Sequence, residues 1–393
     1  MLNDRYGRFS FFFEVYPVRS CVNHFASNGA RKYNLAMRII AHLDMDAFFA
    51  AIEEHDSPQF SGMPLVVGAD PKNGKGRGVV STANYKAREF GIHSALPISK
   101  AWQLAQAAIK RGEPATVFLP GNFRRYGEIS AKIMAIIGDY AKEVEQVSVD
   151  EAYFDLSFCG DFKKAELICQ EIKKEIKNRI GLTASIGLAP NKLVAKIASD
   201  AKKPDGLTVV TEADAEKFLE PLAIRKIPGI GPKTEMLLIR KAIATVKDLK
   251  KLSEATLYEM LGEWGLELYE KVRGRDNSPI VEEYEAKSIG EQKTFEEDTN
   301  NSGVIVADLS EMAENIIKSF CDSGFKTFKK IVLTVRFADF KTCTRSHTLP
   351  KPESCSQVLK KEILKLVLPF FDSRENPNHK LIRLVGARIE GLV

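Results

Sequence analysis

Two acidic clusters carry the clearest chemical signal in this sequence. One is Leu43-Asp44-Met45-Asp46-Ala47-Phe48-Phe49 and the other is Ser148-Val149-Asp150-Glu151-Ala152-Tyr153. Each sits at the end of, or inside, an apolar, strand-like run. A carboxylate on such a strand is costly unless a cation meets it. Three of them converging on one point would make a hard, oxygen-rich site suited to Mg²⁺, and such a site does phosphoryl transfer. Two ions about 4 Å apart would divide the work. One would lower the pKa of an attacking hydroxyl, and the other would neutralise a triphosphate and its leaving pyrophosphate. Exposed acids at strand ends are common, but two clusters in apolar strands of one sheet argue against that reading. Asp46 is assigned to the cap of the following helix ahead of metal binding.

The flanking patterns say what must hold these acids. Residues 38–45 are apolar with few breaks and predict a buried strand. The spacing of Phe48, Ala51 and Ile52 predicts a helix over 47–54. Residues 64–68 and 78–81 predict short strands around the turn-rich stretch 70–76. Ser81-Thr82 is expected to cap a helix running to Phe90, ended by Gly91. Another helix is expected over 122–138 and a hairpin over 144–156. Ile168, Ile172, Ile176 and Ile180 mark an amphipathic helix over 162–180. A strand follows over 183–188, then a helix opened by Pro190-Asn191 and running to Lys203. This order predicts an α/β multidomain (α+β) chain, built on a split βαβ, ferredoxin-like sheet with a small inserted lobe. Residues 209–276 read as small and helical, and 277–286 as a linker. From Lys287 a second α+β domain is expected, with helices at 305–319 and 356–370 and strands at 330–337 and 380–389.

Bulk properties agree with a multidomain globular protein. The chain has 393 residues, 44% hydrophobic and 28% charged, with a net charge of +5. The mild basic excess permits a polyanionic partner without proving one. The six cysteines (21, 159, 169, 321, 343 and 355) form no CxxC pair. Reduced thiols are expected, rather than a zinc or redox site. No apolar run reaches the roughly 18–20 residues that span a bilayer, so no membrane partner and a cytoplasmic location are expected. Met37 immediately precedes the first convincing strand. It is expected to be the natural start, with residues 1–36 an upstream extension or a disordered tail.

The two acidic runs resemble the catalytic motifs of the Y-family translesion DNA polymerases, most closely the bacterial DNA polymerase IV and kappa branch. Further matches follow in the family's order. They include Ser81-Thr82-Ala83-Asn84-Tyr85-Lys86-Ala87-Arg88, Gly187-Leu188-Ala189-Pro190-Asn191-Lys192 and Lys196-Ile197-Ala198-Ser199-Asp200. Beyond them come Lys203-Pro204-Asp205-Gly206 and Lys287-Ser288-Ile289-Gly290. The resemblance covers residues 37 to about 390 and implies an organisation. A catalytic palm would comprise 37–47 and 121–208, fingers 48–120, a thumb 209–276 and a little finger 287–393. It implies Asp44, Asp150 and Glu151 as catalytic ligands of two Mg²⁺ ions, assisted by the Met45 carbonyl. It implies Phe49 as a steric gate, a flat ring that leaves no room for a 2′-hydroxyl. By spacing alone Phe49 reads as a core aromatic on an amphipathic helix; the motif around it favours the gate.

Thr82, Tyr85 and Arg88 sit three apart and are expected to share one helix face. That face alone would read as solvated; the resemblance makes it a grip on the triphosphate. Lys196 is implied as a further triphosphate contact, with Lys192 left open. Ile227-Pro228-Gly229-Ile230-Gly231-Pro232-Lys233 reads as a helix-hairpin-helix turn. Gly229, Gly231 and Lys233 would meet a DNA phosphate there without reading bases. Lys329, Lys330, Arg336, Lys341 and Arg345 cluster on one late strand and its turn. They suit phosphate tracking, with Lys330, Arg336 and Arg345 taken as DNA contacts.

The partners implied are primer–template DNA and deoxyribonucleoside triphosphates, bound by a monomer. Bacterial DNA polymerase IV chains usually end in a short apolar peptide for a sliding clamp. Here Arg388-Ile389-Glu390-Gly391-Leu392-Val393 reads as the last strand, so a clamp partner stays open. No segment resembles a proofreading exonuclease. Two rival functions are a nucleotide cyclase on a similar palm and a catalytically silent DNA-binding scaffold. The first leaves the helix-hairpin-helix and the basic last domain unexplained, and the intact acid triad argues against the second.

Overall fold

Strand β1 (Ile40–Met45) runs through the middle of the first sheet, and alternation sorts its side chains. Ala41, Leu43 and Met45 enter the main core, whereas Ile40 joins a second core on the other side. His42 and Asp44 alternate with Leu43, so they share the Ile40 side. The computed structural model describes residues 37–393, and the expected extension over 1–36 lies outside them.

A tight turn leads from β1 into α1 (Phe48–Asp56). Ala47 takes the N-cap position with a left-handed φ of 47°, and no side chain caps the helix. Asp46 is therefore not the expected cap. A left-handed backbone costs a non-glycine residue roughly 1–2 kcal/mol, so the turn must be held from elsewhere.

The insert builds its own small core. Strands β2 (Leu65–Gly68), β3 (Val80–Ala83) and β4 (Val117–Leu119) form a sheet in the order β3-β2-β4. Helices α2 (Tyr85–Glu89) and α3 (Ile98–Lys110) pack there, burying Ile92, Ile98, Ala101 and Ala105. Ser81 and Thr82 do not cap a helix, because Thr82 pairs with Val67 inside the sheet. Asn84 caps α2 instead, accepting the Ala87 N–H at 2.9 Å. A β-branched Thr suits a pleated strand, while the Asn side chain satisfies an otherwise orphaned helical N–H.

After α4 (Phe123–Tyr140), the chain forms β5 (Val144–Gln146), β6 (Glu151–Asp155), α5 (Phe162–Ile180) and β7 (Ala184–Ala189). Then come α6 (Lys192–Asp200) and β8 (Leu207–Val209). The sheet order is β5-β6-β1-β7-β8, with β1 antiparallel to both β6 and β7. This is the expected ferredoxin-like arrangement. Helices α4 and α5 cover the Leu43 side, burying Ile133, Ile137, Ile172 and Ile176 completely. Each such aliphatic side chain contributes about 1.5–3 kcal/mol by leaving water. Helix α6 lies on the opposite side, close against β7. Only glycine fits at position 187, where a Cβ would stand 2.0 Å from the Ala195 carbonyl oxygen.

Helices α7 (Ala215–Leu219), α8 (Pro232–Ile239), α9 (Val246–Lys250), α10 (Glu254–Leu261) and α11 (Glu263–Lys271) complete this unit. They share a core of Leu219, Leu238, Leu249, Leu257 and Leu268. The expected linker is anchored over its first half. The Lys192 ammonium donates to the Pro279 carbonyl at 3.3 Å, and Glu145 accepts both the Val281 N–H at 2.9 Å and the Lys192 ammonium. The two compact units divide between Glu283 and Tyr284.

The second unit contains β9 (Ser288–Thr299), α12 (Ser302–Asp322), β10 (Phe328–Phe337), β11 (Thr342–Glu353), α13 (Ser356–Val367) and β12 (Ile382–Glu390). Its sheet is antiparallel in the order β11-β10-β12-β9, with α12 and α13 over one face. Strands β9 and β11 escape sequence analysis because they are edge strands with mostly wet side chains, so no apolar alternation marks them. Among the described residues no helix is long and apolar enough to cross a membrane.

Candidate active site

The register of the central strands brings the acids together. Asp44 lies directly opposite Glu151, and the Met45 N–H donates to the Asp150 carbonyl at 3.0 Å. All three carboxylates therefore sit at one end of β1 and β6. Ser148 shapes the bend before β6, donating to the Asp150 carboxylate at 2.6 Å and accepting the Glu151 N–H at 3.1 Å.

Two lysines face this cluster. The close approach of α6 at Gly187 brings the Lys196 ammonium onto the Glu151 carboxylate. From the turn after α6, the Lys203 ammonium lies 2.7 Å from Asp44 and 2.9 Å from Asp200. His42 backs the site, with Nδ1 2.8 Å from the Ser199 hydroxyl and Nε2 3.5 Å from Glu151. Burial keeps the His42 ring below its usual pKa.

Burial also pushes the Asp44 carboxyl up to about 7, helped by the charges of Glu151 and Asp150 and opposed by Lys203. Asp150 moves up for the same first reason. Burial penalises the Glu151 carboxylate too, but the facing His42 and Lys196 hold it well below the ordinary range. The donor set is all oxygen, and its mutual repulsion favours a hard divalent cation. In donor chemistry the cluster fits Mg²⁺. It is not a closed cage: among the described residues no three His, Cys, Asp or Glu side chains stand ready around one point.

Asp46 turns away from this cluster. It is 4% exposed, and its carboxylate accepts from Thr183, Ser185, Tyr85 and the Asp205 backbone.

On the inserted lobe, Tyr85 and Arg88 share α2, but Thr82 does not join their face because it belongs to β3. The Arg88 guanidinium lies over the Tyr85 ring at 4.6 Å, and its Nε donates to the Ala83 carbonyl at 2.9 Å. Burial, with the Asp46 charge beside it, pushes the Tyr85 hydroxyl up to about 12, so it remains a donor. Phe49 on α1 stacks against Tyr126, and Phe123 meets it edge-on at 5.8 Å.

Lys196 and Lys192 part company despite their helical spacing. Lys192 binds Glu145 at 2.6 Å, away from the acids, and serves the fold. Lys203 lies in a motif visible in the sequence, yet its place beside Asp44 is not visible there, because nothing local links the two. The place of Tyr126 against Phe49 is hidden in the sequence for the same reason.

The expected DNA contacts divide between the two units. In the first, Gly229 adopts φ 99°, and Gly231 precedes α8 with Pro232 in its opening turn. Lys233 is exposed in that turn, where the first N–H groups of a helix lack intrahelical partners. In the second unit, Lys330 and Arg336 lie on the open face of β10, alternating with the buried Ile331, Leu333 and Val335. Arg388 of β12, opposite Val332, joins them there. Arg345 does not. It stands opposite Leu333, which puts it on the other face, and its guanidinium is held by both oxygens of Glu375.

Comparison with known proteins gives this arrangement a family. Residues 43–200 match the impB/mucB/samB family, residues 212–241 its HHH motif and residues 286–393 its C-terminal domain. The chain is 42% identical over 368 residues to DNA polymerase IV 2 of Methanosarcina mazei, covering 93% of this chain and 95% of that one. It is 40% identical over 355 residues to DNA polymerase IV of Methanoculleus marisnigri, covering 90% and 94%. A solved Y-family DNA polymerase chimera of Dbh and Dpo4 superposes with a TM-score of 0.78 at 26% identity, over 90% of this chain and 99% of the other. DinB from Sulfolobus solfataricus gives a TM-score of 0.59 at 26% identity and the same coverage. The chain belongs to the impB/mucB/samB family, the Y-family of DNA polymerases.

Proposed function

We propose that this chain extends a DNA primer on a DNA template, as a translesion, error-prone DNA-directed DNA polymerase. The primer 3′-hydroxyl attacks the α-phosphate of a deoxyribonucleoside triphosphate. A new P–O bond forms as the bond to pyrophosphate breaks. The observation that carries this reading is the meeting of Asp44, Asp150 and Glu151 at one sheet end with Lys196 and Lys203 beside them. Asp44, Asp150 and Glu151, with the Met45 carbonyl, would hold two Mg²⁺ ions, which supply Lewis acidity at the hydroxyl and at the triphosphate.

The chain's own groups do the rest. Lys196 and Lys203 exchange their carboxylate partners for phosphate oxygens, so the site keeps its charge balance as the substrate enters. Tyr85 and Arg88 grip the triphosphate from the inserted lobe, with Thr82 beside them from β3. Phe49 closes the space below the sugar.

In this reading residues 37–47 and 121–208 are the palm, 48–120 the fingers, 209–276 the thumb, 277–286 the linker and 287–393 the little finger. The thumb turn at Gly229, Gly231 and Lys233 tracks one stretch of DNA backbone. The open sheet face with Lys330 and Arg336 tracks another. Fingers with only a small core of their own favour a roomy site that tolerates damaged templates. The protein works as a monomer in the cytoplasm.

Primer extension with Mg²⁺ tests this directly, comparing the wild type with Glu151→Ala. The variant should lose about 10³-fold or more in rate, equivalent to about 4 kcal/mol of barrier. Wild-type protein that binds primer–template without extending it would overturn the proposal.

A further inference from the structure

Asp46 is the acid of the first cluster that the reaction leaves unused. Its Oδ2 accepts the Thr183 hydroxyl at 2.8 Å and the Asp205 N–H at 2.8 Å. Its Oδ1 accepts the Ser185 hydroxyl at 2.8 Å and the Tyr85 hydroxyl at 3.3 Å. These donors come from the β7 region, from the turn after α6 and from α2. Hydrogen bonds to a carboxylate are roughly twice as strong as neutral ones, and low-dielectric surroundings strengthen them further. A buried carboxylate so surrounded fixes the relative positions of everything that donates to it.

Two of the joined elements carry the groups assigned to the triphosphate. Tyr85 shares α2 with Arg88. Asp205 closely follows Lys203, whose ammonium reaches Asp44 at 2.7 Å. Asp46 itself lies just beyond Asp44 on the same segment. One carboxylate thus ties both arms of the phosphate grip to the segment that carries the catalytic acid.

We propose that Asp46 is a positioning residue for the nucleotide triphosphate. Through the one proton of the Tyr85 hydroxyl it holds α2, and with it Arg88, at a fixed separation from the Lys203 turn, so Arg88 and Lys203 are in place before the nucleotide arrives. This rests on the reading that Arg88 and Lys203 contact the triphosphate. Asp46→Asn keeps the shape but turns one acceptor into a donor, which opposes either the Thr183–Asp205 pair or the Ser185–Tyr85 pair. The cost falls on nucleotide binding and spares the chemical step.

Steady-state extension by D46N should show a KM for deoxyribonucleotide raised about tenfold, with kcat changed less than about threefold. Equilibrium affinity of the enzyme–primer–template complex for a non-hydrolysable deoxyribonucleotide should fall in parallel, while affinity for DNA stays unchanged. Y85F should cost less in the D46N background than in the wild type, since the arm it removes is already loose. Thr183→Val removes one donor and keeps the carboxylate; it serves if D46N does not fold, and should raise KM about threefold.

A D46N protein with lowered thermal stability but unchanged KM and nucleotide affinity would overturn the proposal. Strictly independent effects of D46N and Y85F would do the same. In the absence of folded D46N, an unchanged KM in Thr183→Val has that force. Arg88→Ala and Lys203→Ala separate the two levels of inference. If neither alters nucleotide affinity, the phosphate grip itself is wrong. If both weaken it and D46N does not, only the role of Asp46 falls.

Discussion

Phe49 and Tyr126 stack with ring centroids 4.3 Å apart and planes 14° from parallel. Tyr126 is 1% exposed, and its hydroxyl donates to Glu53 at 2.6 Å, one helical turn beyond Phe49 on α1. The ring proposed to lie under the sugar is therefore backed by a second ring that is itself tied down. Phe49→Ala should admit ribonucleotides, lowering the ratio of kcat/KM for deoxy over ribo substrates by about 10²-fold or more. Tyr126→Leu should relax the same ratio partially, and Tyr126→Phe, which keeps the stack, should leave it near the wild-type value. Unchanged sugar discrimination in Phe49→Ala would remove the gate role.

Lys203 neutralises Asp44 at 2.7 Å. If it transfers to phosphate when substrate binds, Lys203→Ala should raise the KM for deoxyribonucleotide about tenfold and lower kcat less. Steady-state extension at varied nucleotide concentration measures both. An effect confined to kcat would mean that Lys203 acts on the carboxylates alone.

Gly187 lets α6 lie against β7. In Gly187→Ala the new Cβ would stand 2.0 Å from the Ala195 carbonyl oxygen, so the helix must move and carry Lys196 away from Glu151. A loss of about 1–3 kcal/mol in unfolding free energy is expected, together with reduced extension. Denaturant melts and primer extension on one preparation would show whether the two effects occur together.

Arg125 pairs with Asp56 at 2.7 Å, joining the start of α4 to the end of α1. Its hydrogen bond, helped by a weaker one from His55, lowers the Asp56 carboxyl from an ordinary 3.8 to about 2. A depressed carboxyl stabilises the fold above its unfolded pKa and loses that contribution as pH falls through its folded pKa. The stability gap between wild type and Arg125→Ala should thus be constant above about pH 4 and close toward pH 2. The pair is solvent-screened, with each side chain about one-third exposed, so the gap should be small. Thermal melts across that range would read it; a gap that widened in acid would contradict the sign.

Arg336 lies on the open sheet face, while Arg345 is clamped by Glu375 on the other. If the open face tracks phosphates, Arg336→Ala should reduce the slope of log affinity against log salt by about 1. Arg345→Ala should leave the slope unchanged. Fluorescence anisotropy with labelled duplex over a salt series distinguishes them, and equal effects would mean that the two faces do not differ in this way.

Much of the ferredoxin-like unit was legible from local pattern. Apolar runs around 38–45 and 144–156 marked the strands that carry Asp44 and Glu151, with Asp150 in the bend just before the second, and the isoleucine spacing marked α5. The edge strands β9 and β11 were not legible, because a strand wet on both sides has no hydrophobic period. Thr82 looked helical from its neighbours, yet pairing with Val67 in β2 holds it in a strand.

The site divides along the same line. Residue type and order along the chain were enough to bring three carboxylates to one end of the sheet, because each cluster lies on or beside a strand whose period is local. The partners of those acids were beyond local pattern. Asp46 has the spacing of a helix cap, but its donors Thr183, Ser185 and Asp205 lie 137, 139 and 159 residues away. Lys203 reaches Asp44, and Tyr126 reaches Phe49, only once the sheet closes and the helices dock on it. Periodicity encodes which face a side chain takes; which groups meet across the fold depends on strand register and on the close approach that Gly187 permits.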